Sequence, residues 1–134
     1  MRTFLKISFI SAALLCCLCL RAGRDGYDVF VPISKYLSKG DAESLSAWFA
    51  DNLQISIMSS TNDSSKNQAK QILKSFFDSH TARSFEINHT ASSSNSKYAL
   101  GYLNAGGELF EVTIFVSESK GRYKIQQLKI DRIR

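Results

Sequence analysis

Beyond residue 19 the chain has no cysteine; the three it carries are Cys16, Cys17 and Cys19. Everything downstream is therefore barred from disulfides, thiolate metal sites and cysteine nucleophiles. One proline and seven glycines leave no linker that would part the 134 residues into two folded units. The two histidines, His80 and His89, stand apart and have no acid at ligand spacing, so no metal motif is formed. There is no Gly-rich phosphate loop, since Gly106-Gly107 reads as a hairpin turn, and no Gly-x-Ser-x-Gly nucleophile elbow. No cofactor is expected. Hydrophobic residues at 44% and charged residues at 22% exclude a disordered tail, a collagen-like repeat and a polytopic membrane protein.

The first residues bias these figures. Arg2 and Lys6 precede an uncharged stretch, Ile7 to Leu20, that is apolar apart from Ser8 and Ser11. A basic start, a short apolar run and a small residue after it describe a secretory signal peptide. The run is shorter than the roughly 20 residues of a membrane-spanning helix. We place the signal at residues 1–22 and a single domain at 23–134, exported to a periplasmic or extracellular location. The cysteines follow Leu15, Cys16 and Leu18 rather than the Gly, Ala or Ser of bacterial lipoprotein signals, so a lipid anchor is not expected. Without Arg2, Lys6 and Arg21 the formal charge of +5 falls to about +2. The remaining basic residues are scattered. Arg122, Lys124, Lys129, Arg132 and Arg134 mostly alternate with apolar neighbours, as on a solvated strand face. That argues against a nucleic-acid partner, which calls for a concentrated basic stripe.

Two periodicities organise the rest. Val29, Phe30, Ile33, Tyr36 and Leu37 have helical spacing over 28–39, with Pro32 in the first turn and Gly40 as a stop. Asp41 then caps a short second helix with Leu45, Trp48 and Phe49 on its apolar face. Residues 53–58 alternate as a half-buried strand, and 59–65 read as a polar turn. Ser65 and Gln68 form a capping box for a third helix, whose stripe is Ala69, Ile72, Leu73, Phe76 and Phe77. From Arg83 the period changes to two. Four strands follow, broken by turns at 92–95, 104–107 and 119–121, which predicts an antiparallel meander. The apolar parity switches at Gln126-Gln127, which predicts a β-bulge and a bent strand. The fold class is α+β: a curved antiparallel sheet of about five strands, the first joining at an edge, with three helices packed on its concave face.

This layout resembles the nuclear-transport-factor-two-like fold, also called cystatin-like, which includes the SnoaL and ketosteroid isomerase families. The stretch Val31-Pro32-Ile33-Ser34-Lys35-Tyr36-Leu37-Ser38-Lys39-Gly40-Asp41, with Leu45 and Trp48-Phe49, is similar to a family of small exported bacterial domains of unknown function with that fold. So are Gln71-Ile72-Leu73-Lys74-Ser75-Phe76-Phe77 and Gly101-Tyr102-Leu103. The resemblance implies a cone-shaped fold and leaves the chemistry open, because the fold hosts enzymes and binding modules alike.

An isomerase-like site needs a carboxylate base and a proton-donating partner in a dry cavity. Glu86 and Glu111 alternate against apolar residues and should face away from the core, and Asp78 ends a helix. His89 shares parity with Phe85 and Ile87 and should point inward. Two functions follow. The first is a non-catalytic binding or scaffold domain with a cavity lined by Tyr36, Trp48, Phe77, His89, Tyr98 and Tyr102. Its partner is a small apolar ligand or an envelope protein, or a second copy paired through the sheet. The alternative is a small isomerase- or hydrolase-like enzyme using His89 and a tyrosine hydroxyl.

Overall fold

The computed structural model describes residues 28–133. The expected signal segment and its cleavage point lie outside them. The described residues form α1 (Phe30–Lys39), α2 (Ala42–Ser46), β1 (Phe49–Ile57), β2 (Ser60–Ser65), α3 (Lys66–Ser79), β3 (Ala82–Ser92), β4 (Ser96–Ala105), β5 (Glu108–Ser119) and β6 (Arg122–Arg132).

Local chemistry accounts for the helix boundaries. Asp28 Oδ1 accepts from the Phe30 amide at 2.9 Å at the entrance to α1. Gly40, at φ 67°, ends that helix with its own amide on the Leu37 carbonyl, and the next amide, of Asp41, on the Tyr36 carbonyl. A side chain at Gly40 would meet Phe77 and Ala82, so the turn also fixes how closely α1 approaches α3 and β3. Asp41 Oδ1 caps α2 through the Ser44 amide at 3.0 Å, and Ser65 Oγ caps α3 through the Gln68 amide at 3.2 Å. The apolar stripe of α3 is buried as expected at Ala69, Leu73, Phe76 and Phe77.

The sheet has six strands in the order β2-β1-β6-β5-β4-β3, one more than expected. The extra strand is β2, where the sequence reads as a turn. It is exposed at every position except Ser64 and has no apolar alternation; it is held by backbone pairing to β1. A polar edge strand of this kind discourages pairing with foreign strands. The turn before it uses Met58 and Ser59, both at positive φ (49° and 74°), in place of the Asn-Gly that marks a two-residue hairpin. Because β2 covers the edge, β1 lies inside the sheet and pairs parallel with β6. The other pairings are antiparallel.

Register shifts bend the sheet. Phe115 pairs with Gln127 but Val116 with Ile125, so Gln126 bulges from β6, where the parity switch predicts it. A second bulge falls at Asn88: Ile87 pairs with Gly101 and His89 with Leu100. The buried sheet face carries Ala99, Leu103, Phe110, Val112, Ile114, Leu128 and Ile130, all fully buried. It merges with Ile33, Leu37, Leu45, Leu73 and Phe76 from the helices into one core.

Candidate functional site

The six aromatic and histidine candidates do not converge. Phe77 is 8% exposed and part of the core, with its ring edge-on to Phe76 at 5.5 Å. Tyr36 is half-buried and packs against that core. The Asn88 bulge reverses parity, so His89 does not follow Phe85 and Ile87 inward. It is exposed and lies across from Leu100, on the opposite sheet face. Tyr98, Leu100 and Tyr102 do share a face, but the buried residues of β4 are Ala99, Gly101, Leu103 and Ala105. Both tyrosines therefore look outward, and Tyr102 is 36% exposed. Tyr98 and Phe115 border only a shallow hollow of about 180 Å³. No dry pocket joins His89 to a tyrosine hydroxyl among the described residues.

Trp48 is the exception. With Tyr123 it forms the aromatic part of a cleft of about 480 Å³, completed by Ala47, Gly121, Arg122 and Lys124. That size lies within the roughly 300–1,000 Å³ common for small-molecule sites. Two elements remote in sequence build it. Trp48 sits between the end of α2 and the start of β1, and its carbonyl accepts from the Ile125 amide at 2.7 Å. This bond, with the Phe49–Ile125 pairing, clamps the α2–β1 corner onto the first residues of β6. The two-residue turn Lys120-Gly121, both at positive φ, sends Arg122, Tyr123 and Lys124 back along the wall.

The cleft is electropositive. Lys124 Nζ donates to the Ala47 carbonyl at 2.9 Å, a favourable place for a cation because Ala47 ends a helix. Burial holds the Lys124 ammonium below the usual lysine range; Lys66 and Arg122 push the same way and Asp51 opposes them. Lys97, which pairs with buried Val116, reaches over the Tyr123 ring, its Nζ 5.0 Å from the ring centre. Sequence reading missed Tyr123, Lys124, Arg122 and Lys97. Tyr123, Arg122 and Lys124 carry only alternation near the chain end, which also describes a solvated strand, and Lys97, at the start of β4, carries no signal of its own.

Helices and a curved six-stranded sheet around one core place the domain among α+β proteins of the nuclear-transport-factor-two-like, or cystatin-like, fold. The chain belongs to the family described as "Domain of unknown function (DUF4783)", which matches residues 30–131. A DUF4783 protein of Bacteroides uniformis is 23% identical with a TM-score of 0.77, over 80% of this chain and 99% of that one. One from Bacteroides ovatus is 22% identical with a TM-score of 0.75, over 78% and 94%. A protein of Streptomyces avermitilis described as a putative dehydratase of the NTF2-like family is 9% identical with a TM-score of 0.57, over 76% and 90%. At these identities the likeness establishes the fold alone. No curated protein matches the chain at a significant level.

Proposed function

We propose that this domain is an exported, non-catalytic binding module whose ligand occupies the Trp48–Tyr123 cleft. The observation that carries the reading is the cleft itself. A half-buried indole and a half-buried phenol face one hollow of about 480 Å³, while the interior between helices and sheet is packed with side chains. An apolar wall with a few polar groups is the usual form of a small-ligand site. Export rests on the N-terminal sequence pattern. Nile red, a neutral apolar dye, tests the site: its emission should rise with the folded domain and fall back in a Trp48→Ala, Tyr123→Ala double variant of unchanged circular dichroism. No enhancement, or enhancement that survives the double variant, overturns the reading.

A second reading is pairing of two copies through the outer sheet face. It is favoured by Tyr98, Leu100, Tyr102 and Phe115, which stand side by side on β4 and β5 with Tyr102 exposed. Sedimentation at rising concentration tests it; a monomer throughout would exclude it.

A further inference from the structure

We infer that the Trp48–Tyr123 cleft takes a small amphipathic carboxylate, an apolar body with a single anionic head, rather than a neutral apolar molecule. The inference rests on the cleft being the binding site and adds the charge of its ligand. Three observations carry it.

The first is the division of the cleft wall. Trp48 and Tyr123 give it an apolar side, and Arg122 and Lys124 give it a cationic side. A neutral ligand would satisfy the rings and bring neither cation a counter-charge. An amphiphile with an anionic head matches both sides at once.

The second is the state of Lys124. Its ammonium is anchored to the Ala47 carbonyl, which fixes the side chain along the cleft wall and engages one of its three donors. Two N–H donors remain. Desolvation, Lys66 and Arg122 all disfavour the charged form of this group. A carboxylate placed against it would relieve that repulsion and gain charge-assisted hydrogen bonds.

The third is the balance of surrounding charge. Lys97 lies against the Tyr123 ring. Lys120 joins Arg122 and Lys124 around the adjoining hollow by Phe49 and Asp51. Two acids stand at this corner: Asp51, which acts on Lys124, and Glu118, which pairs across from Tyr123. Lys66, Lys97, Lys120, Arg122 and Lys124 outnumber them. A cluster of one sign at the mouth of a low-dielectric hollow raises the local concentration of the opposite charge.

The chain has a single tryptophan, so Trp48 emission reports this cleft and nothing else. The test is a fluorescence titration of the domain with octanoate, octanol and octylammonium, which share one apolar body and differ in head charge. Octanoate should shift Trp48 emission saturably and bind about tenfold or more tightly than octanol, as expected for one charge-assisted hydrogen bond. Octylammonium should bind more weakly than octanol. The octanoate advantage should shrink with added salt and in Arg122→Gln and Lys97→Gln. Octanol binding as well as octanoate would sink the anion inference and leave the apolar binding module standing. A Trp48 signal unmoved by all three would sink both.

Discussion

Phe85 lies across Gly101: a Cβ on that glycine would come within 2.8 Å of the Phe85 Cζ and 2.5 Å of the Glu86 carbonyl oxygen. Gly101 sits in the middle of β4, directly opposite Ile87, one step from the Asn88 bulge. The missing side chain lets β3 and β4 close over one another where the sheet bends, and the Phe85 ring fills the space. Gly101→Ala should therefore destabilise the domain by about 1–3 kcal/mol, as overpacking does in a filled site. Phe85→Ala added to it should recover little, because the carbonyl clash is backbone and stays. Denaturant unfolding of the parent and the two variants measures this; a Gly101→Ala domain as stable as the parent would show that the strands separate freely.

The turn Met58-Ser59 stores strain of a different kind. Ser59 holds φ at 74° with no glycine to ease it, in a conformation that costs L-residues roughly 1–2 kcal/mol. Ser59 is exposed and its position closes the β1–β2 hairpin. Ser59→Gly should stabilise by about 0.5–1 kcal/mol after the extra unfolded-state entropy of glycine is counted. A raised thermal midpoint is the readout. A fall would mean that the serine is held there by something other than the turn.

Much of this fold is legible along the chain. The α3 stripe, the meander and the Gln126 bulge appear because their periods are local, and Ser65, Asp41 and Gly40 mark helix ends by chemistry that acts within four residues. What stays hidden is non-local or purely backbone. β2 is polar throughout and exists by hydrogen bonding to β1, so its side chains carry no strand signal. The parallel pairing of β1 with β6 joins segments from opposite ends of the domain, and no residue in either announces the other. One unpaired residue, Asn88, turns His89 and everything after it to the other face. The cleft is hidden for the same reason: Trp48 and Tyr123 meet only because β1 and β6 are neighbours.

Asp41 makes stability depend on acid. Its carboxylate accepts the Ser44 amide, and that bond, with the Ser44 side chain, holds its pKa below the ordinary value of 3.8. A folded-state pKa lower than the unfolded one means that the unfolded chain binds more protons between the two. The contribution is thus complete above about pH 5 and lost as pH falls through the ordinary carboxylate range to the lowered folded value. Asp41→Ala should cost about 1 kcal/mol at neutral pH, the usual worth of an N-cap, and less at pH 3. Asp41→Asn should retain most of the cap and flatten the acid limb. An Asp41→Ala penalty equal at both pH values would rule out the charged cap as its source.

Phe77 and His89 separate core from surface most sharply. Phe77 is 8% exposed, contacts Phe76 and abuts the Gly40 turn, so its removal opens a void where α1 and α3 meet. Phe77→Ala should cost about 3–5 kcal/mol, the range for a buried phenylalanine. His89 is exposed beyond the Asn88 bulge, on the outer sheet face opposite Leu100. His89→Ala should change stability by no more than about 0.5 kcal/mol, and octanoate or Nile red binding should be unaltered, since the cleft lies at the β6 corner. Urea unfolding of the two variants decides the matter. A His89→Ala loss approaching that of Phe77→Ala would place the imidazole inside the core and return the inward reading of β3.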